Sequence, residues 1–90
     1  MSRIAVVGAI LENPQVSQKA FNETLGQFKG IVQGRMGIPF DNDNLAVISI
    51  TLLGELDDIN ALTGKLGNLA EVTVKTAISG ELKQGEHHGK

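Results

Sequence analysis

Two segments of helical periodicity, set between short apolar segments, constrain the fold of this chain more than any other feature. Apolar, β-branched runs predict four strands, at residues 4–11, 31–37, 45–53 and 71–78. The segments after Pro14 and Gly54 repeat apolar residues every three or four positions, which predicts two helices. The order is therefore β-α-β-β-α-β, the split βαβ arrangement. A chain of 90 residues can bury one such core and no second one.

Capping residues predict where the helices begin and end. Asn13 is the expected N-cap of the first helix, Pro14 occupies its first position, and Lys29-Gly30 ends it. The second helix ends at Gly67-Asn68. We expect residues 1–78 to form one domain and the polar residues 79–90 to form a flexible tail.

The character of the strands predicts the order of the sheet. The first and third strands are the most uniformly apolar, whereas the second and fourth carry charged side chains. Central strands are covered on both sides, and edge strands tolerate charge. This gives an α+β, ferredoxin-like sandwich with antiparallel sheet order 4-1-3-2 and both helices on one face.

Side-chain alternation predicts what the uncovered sheet face carries. We expect eight residues there: Leu45, Val47, Ser49 and Thr51 of the third strand and Ala5, Val7, Ala9 and Leu11 of the first. A loop at residues 38–44 would pair Gln33 with Ser49 and place Arg35 near Val47 on the same face. Such an apolar patch is unusual on a soluble monomer, so we expect a homodimer or homotetramer that covers it.

The run from Gly34 to Pro39 is the candidate binding segment. Its glycines let another group approach the backbone, and the planar fork of Arg35 suits a carboxylate or phosphate. The alternative is a bent edge strand followed by a hairpin loop. The start of the first helix offers further N–H donors. The expected ligand or interface residues are Asn13, Gln33, Gly34, Arg35, Met36, Gly37, Pro39 and Ser49.

Composition argues against several classes of function. The chain has no cysteine, and its two histidines, His87 and His88, are adjacent in the tail, so we expect no metal site, no cofactor and no catalytic triad. Eight Lys and Arg residues are spread over a chain of net charge -2, which argues against direct nucleic-acid binding. No segment approaches the roughly 20 apolar residues of a membrane span. We therefore expect a cytoplasmic protein that is not an enzyme.

Three motifs are characteristic: Gly34-Arg35-Met36-Gly37-Ile38-Pro39, Val47-Ile48-Ser49 and Ala61-Leu62-Thr63-Gly64-Lys65-Leu66-Gly67. In them the chain resembles a family of small proteins regarded as regulators of iron-only hydrogenase systems. That family is related in fold to ACT domains and to the C-terminal effector domain of the nickel-responsive repressor. The resemblance spans about residues 3–78 and implies an oligomeric, ligand-sensing module in bacterial regulation. Nickel sensing does not transfer, because the chain lacks Cys and has no His outside the tail. The DNA-binding segment of those repressors is also missing, so transcriptional regulation would require a protein partner.

Two functions follow from these features. The first is an effector-binding regulatory module whose small-molecule ligand lies at a subunit interface near Arg35 and the start of the first helix. The alternative is a structural or assembly protein whose sheet face binds another protein. A ligand that binds only the folded state raises apparent stability, so a thermal-shift screen separates the two.

Overall fold

The computed structural model describes residues 1–82, and its elements follow the expected order. They are β1 (Ser2–Glu12), α1 (Pro14–Gly26), β2 (Val32–Phe40), β3 (Leu45–Glu55), α2 (Leu56–Gly67) and β4 (Val72–Ile78). Two short 3₁₀ turns, Lys29–Ile31 and Asp41–Asp43, precede and follow β2. The His87-His88 pair and most of the expected tail lie outside the described residues.

The four strands form one antiparallel sheet of order β2-β3-β1-β4, which is the predicted order 4-1-3-2 read from the other edge. The predicted ferredoxin-like α+β fold is confirmed. The longest pairing joins β1 to β3, from Ser2 opposite Glu55 to Glu12 opposite Leu45. Within residues 1–82, no helix is long and apolar enough to cross a membrane.

The core lies between the helices and one face of this sheet. Alternate residues of β1 and β3 are buried there, and the helices contribute Phe21, Leu25, Ile59, Leu62 and Leu66. Each large side chain buried in this layer contributes about 1.5–3 kcal/mol to folding. Helical spacing predicts a buried stripe on α2 at Leu56, Ile59, Leu62, Thr63 and Leu66. Ile59, Leu62 and Leu66 are 0% exposed, whereas Leu56 and Thr63 are half-buried.

The predicted orientation of β1 is wrong by one residue. Four of its residues were expected on the uncovered face but are buried under the helices: Ala5, Val7, Ala9 and Leu11. Their partners across β3 include Leu52 opposite Ala5 and Ile50 opposite Val7, which also face the helices. Because odd- and even-numbered residues of β1 are both apolar, its sequence does not show which set faces the helices. The pairing with β3 determines this orientation.

The predicted bounds and pairing of β2 are also wrong. The strand continues through Pro39 to Phe40, and only a short turn at 41–44 connects it to β3. Asn44 adopts a left-handed conformation with φ 56° and closes this turn. Proline is tolerated in an edge strand, where one row of backbone groups has no strand partner. The expected hairpin loop at 38–44 therefore starts three residues later.

The shorter turn shifts the register of β2 against β3. Met36 lies opposite Ser49, where Gln33 was expected, and Arg35 lies opposite Ile50. The register shifts between Val32 and Gly34, so Gln33 lies at a β-bulge. Since Ile50 faces the helices, Arg35 lies on the helix side of the sheet and not on the uncovered face.

Helix α1 ends at Gly26, before the expected Lys29-Gly30 stop. Helical spacing predicts Val16, Ala20, Phe21, Thr24, Leu25 and Phe28 on the apolar face of this helix. Val16 is instead 63% exposed, whereas Ser17 is buried. The Ser17 hydroxyl donates to the carbonyl oxygen of Glu12 at 2.9 Å. This hydrogen bond satisfies the buried hydroxyl and ties the start of α1 to the end of β1.

The backbone after β4 stays beside the start of β1. The N–H of Ser79 donates to the carbonyl of Ile4 at 2.8 Å, and the N–H of Leu82 donates to the carbonyl of Ser2 at 3.0 Å. The Ile4 N–H in turn donates to the Ser79 hydroxyl at 3.0 Å. These bonds extend the contact between the two segments beyond Ile78.

Candidate functional site

The sheet face turned away from the helices, here called the outer face, is largely apolar. Seven large side chains on it are 37–61% exposed: Ile4, Val6, Ile10, Met36, Ile38, Phe40 and Leu53. Together they expose on the order of 600 Å² of apolar surface, at the upper end for a monomer and close to the roughly 800 Å² that each partner contributes to a standard interface. The outer face is therefore one candidate site.

A second candidate, here called the α1–β2 groove, lies between α1 and the helix-side surface of β2. One cavity of about 340 Å³ lies at the start of α1 and is lined by Pro14, Gln15, Gln18, Pro39, Asp41, Asn44, Leu45 and Ala46. A second cavity of about 210 Å³ shares three of these lining residues and is lined by Gln18, Arg35, Gly37, Ile38, Pro39, Ala46 and Ile48. Their combined volume lies within the range of small-molecule sites.

Arg35 is fixed at one end of the groove. Its Nη1 donates to Oδ1 of Asn22 on α1 at 2.9 Å. A guanidinium carries five N–H donors, so this bond orients the fork and leaves donors for a ligand. Gly37, two residues further along β2, has no side chain to cover the groove, and a Cβ there would lie 4.0 Å from Cγ1 of Ile48.

The start of α1 provides fewer free donors than the sequence led us to expect. Asn13 lies at the N-cap with φ 51°, but within the described residues its side chain makes no capping hydrogen bond. Its carbonyl oxygen accepts the N–H groups of Val16 at 2.9 Å and Ser17 at 3.1 Å. Pro14 has no N–H, so at most the Gln15 amide remains in the first turn for an anion. Arg35 is therefore the stronger anion-binding group.

The end of the sheet beside Asn13 is acidic. Glu12, Asp43 and Glu71 surround a cavity of about 430 Å³ together with Asn13 and Asn44. Among residues 1–82, no group of three or more His, Cys, Asp or Glu side chains is arranged to hold a metal ion. The three non-glycine residues with positive φ in this region are Asn13, Asn44 and Glu71.

The fold separates six of the eight predicted site residues into two groups. Arg35, Gly37 and Pro39 line the α1–β2 groove. Gly34, Met36 and Ser49 lie on the outer face, because they pair across β2 and β3 at positions that face away from the helices. Gln33 is exposed at the bulge, and Asn13 contacts Asn44 at the end of the sheet, where Asn44 Nδ2 donates to Asn13 Oδ1 at 3.4 Å.

Five polar groove residues were missing from the predicted site: Gln15, Gln18, Asn22, Asp41 and Asn44. The first three recur on α1 at intervals of three and four, which places them on one helix face. This polar stripe could have indicated a binding surface on α1, but an ordinary solvated helix face has the same pattern. Asp41 was treated as part of a solvated loop, and the short turn brings it to the end of the groove.

Comparison with known proteins agrees with this architecture. The structure of an uncharacterized protein from Thermotoga maritima, TM1266, matches with a TM-score of 0.83 and 32% sequence identity, covering 87% of this chain and 98% of that one. The structure of SnoaB, a cofactor-independent oxygenase from Streptomyces nogalater, matches with a TM-score of 0.54 and 13% identity, covering 96% of this chain and 99% of that one. At 13% identity the second likeness is one of fold alone. No curated protein has a sequence that matches this chain.

The chain is thus a small ferredoxin-like α+β protein with an open sheet face and a groove beside its edge strand. Residues 3–76 match the TM1266-like family, described as "Iron-only hydrogenase system regulator, putative". The chain belongs to this family. The family resemblance predicted from the motifs of β2, β3 and α2 is confirmed.

Proposed function

We propose that this protein is a non-enzymatic regulatory module that associates with copies of itself and responds to a small-molecule effector. The apolar outer face is the observation that carries the proposal. The family description supports regulation of an iron-only hydrogenase system as the setting, and we place the protein in the cytoplasm. A groove lined by amides, prolines, one arginine and one aspartate favours binding over covalent chemistry.

Self-association is supported by the size and position of the outer face. Burying its exposed apolar surface in a dimer would remove it from water on two chains at once, with a gain of about 25 cal/mol per Å² before the costs of association. A flat sheet face can pack against its own copy around a two-fold axis, because the same residues then meet on both sides.

Effector control is supported by the alternation of side chains along β2. Arg35, Gly37 and Pro39 line the groove, whereas Met36 and Phe40 lie on the outer face. Among residues 1–82, the edge strand β2 is paired only to β3, and its pairing is interrupted by the bulge. A ligand that displaces β2 from the groove side therefore also moves residues of the proposed interface, which couples binding to association.

The test measures the oligomeric state and ligand response of the same protein. Sizing with light scattering at micromolar concentration should give a dimer or tetramer, and Val47→Glu should give a monomer, because it places an unpaired charge in the interface. Ala61→Glu, on an exposed position of α2, is the matched control and should leave the assembly intact. A sharp monomer peak for the unaltered protein would defeat the self-association part.

A thermal-shift screen of metabolites tests the effector part, since a ligand of the folded state raises the melting temperature by mass action. The alternative function, assembly through another protein on the outer face, has its own signature. In that case the unaltered chain is a monomer, no metabolite shifts its melting temperature, and one specific protein is retained by it but not by Val47→Glu.

A further inference from the structure

Among residues 1–82, the α1–β2 groove carries opposite charges at its two ends and no charged side chain between them. Arg35 is the one cation and Asp41 the one anion among its lining residues in the described part of the chain. We propose that the groove binds an elongated zwitterion, with a carboxylate at Arg35 and an ammonium group at Asp41. This inference rests on the proposed function, which places an effector in the groove, and adds the chemistry and length of that effector.

The Arg35 end is built to receive a carboxylate. The 2.9 Å bond from Nη1 to Asn22 holds the guanidinium toward α1. The remaining N–H donors can form paired hydrogen bonds with the two oxygens of a carboxylate, which are stronger than bonds between neutral groups. Lysine has no planar fork and would offer only a point charge at this position.

The spacing of the two charges sets the length of the ligand. Asp41 follows Arg35 by six positions along an almost fully extended segment. At about 3.3 Å per residue their Cα atoms lie roughly 15–20 Å apart. An arginine side chain reaches about 6–7 Å from its Cα and an aspartate about 3 Å, so even if both lean toward each other their charges remain about 5–10 Å apart. A free α-amino acid, whose charges are adjacent, is too short to reach both ends.

The middle of the groove suits a neutral, hydrogen-bonding chain. Gln18, Pro39 and Ala46 line both cavities, so the two cavities adjoin at these residues. Gly37 leaves the space above Ile48 open. The Gln18 amide can donate to and accept from an amide-like linker, while the apolar floor excludes a third charge.

Oligoglycines with free termini test how far apart the two charges of the ligand must be. A peptide of n residues spans at most about 3.6 Å × n, and glycine adds no side chains. Titrations into ¹⁵N-labelled protein, followed by amide chemical shifts, should show no binding of glycine and progressively tighter binding from triglycine to pentaglycine. The shifted amides should lie along α1 and β2. Blocking either terminus of pentaglycine, by acetylation or amidation, should weaken binding roughly tenfold, because each block removes one charged hydrogen-bonding group.

Protein variants assign each end of the ligand. Arg35→Lys should weaken free pentaglycine roughly tenfold, and in Asp41→Asn the free and acetylated peptides should bind equally, because the ammonium has lost its partner. Lys29→Gln and Asp57→Asn remove a cation and an anion outside the groove and should bind like the unaltered protein. All four substitutions are at exposed positions, so the variants are expected to fold.

Several results would overturn the inference. They are the absence of pentaglycine binding, equal affinity for glycine and pentaglycine, indifference to blocking of the termini, or chemical shifts confined to residues outside the groove. If a different metabolite binds the groove and raises the melting temperature, the inference fails while the proposed function stands. If no compound binds and the protein is a monomer, both fail.

Discussion

Val6 and Val7 are neighbours on β1 whose side chains lie on opposite faces of the sheet. Replacing each with glutamate tests both the fold and the outer face. Val6 is 52% exposed on the outer face, whereas Val7 is 0% exposed beneath the helices. Val6→Glu should leave the folded monomer nearly as stable as before, within the ~1 kcal/mol range of strand propensities. Val7→Glu should prevent folding.

The size of each effect follows from burial. At Val7 the change removes about 1.5–3 kcal/mol of apolar burial and adds an unpaired buried charge at several kcal/mol. This is comparable to the whole stability expected of a domain of this size, at about 0.05–0.15 kcal/mol per residue. At Val6 the unburied half of the side chain contributes about 1 kcal/mol per copy to a dimer. The buried carboxylate adds several kcal/mol more, so the dimer should weaken at least a thousandfold, since each 1.4 kcal/mol is a factor of ten.

Circular dichroism melts measure the effect on folding, and sizing with light scattering measures the effect on dimerisation. The expected result is a folded monomer for Val6→Glu and an unfolded chain for Val7→Glu. A dimer of undiminished affinity for Val6→Glu would refute the proposed interface. The opposite pattern, with Val7→Glu folded and Val6→Glu unfolded, would refute the orientation of β1.

Three further predictions concern packing, backbone conformation and nucleic-acid binding. Gly54→Ala should lower the free energy of unfolding by about 1–3 kcal/mol in urea melts, because the new Cβ would lie 2.7 Å from Cγ2 of Ile31. Gly64→Ala in α2 is the control, because a Cβ at this position would have no atom within 4 Å, and it should raise the free energy of unfolding by about 0.5–1 kcal/mol. A decrease in the free energy of unfolding as large as that for Gly54→Ala would contradict the packing argument. Glu71→Gly should be neutral or stabilising by up to about 1 kcal/mol, because Glu71 has φ 64°; clear destabilisation would show that its side chain matters more than its backbone. The purified chain should not bind duplex DNA specifically at physiological salt, and a salt-resistant, sequence-dependent mobility shift would disprove this.

Local signals in the sequence were sufficient for the order of elements and of the sheet. The N-terminal signal Asn13-Pro14 placed the start of α1 correctly, because proline at the first helical position is a local backbone preference. The charged side chains of β2 and β4 correctly indicated the two edges, since charge is tolerated where a strand is uncovered. The family motifs likewise lie in continuous segments and needed no tertiary contact.

The candidate site was only partly predictable. Arg35, Gly37 and Pro39 were recognised from their unusual combination within one segment. Their groove partners lie on a different element, and the bond from Arg35 to Asn22 joins residues 13 positions apart. No local pattern specifies that contact, because it depends on how α1 packs over the sheet.

Tertiary structure alone decided which way β1 and β2 face. β1 is apolar at both parities, so period-two alternation gave no preference, and only its register against β3 buries Val7 and exposes Val6. The register of β2 against β3 is determined by the turn that contains Asn44 in the left-handed region, and it shifts at the bulge after Val32. A shift of one residue in a strand moves every side chain to the other face. For this reason the sequence alone identified Arg35 as a functional candidate, but only the packed sheet placed it in the groove.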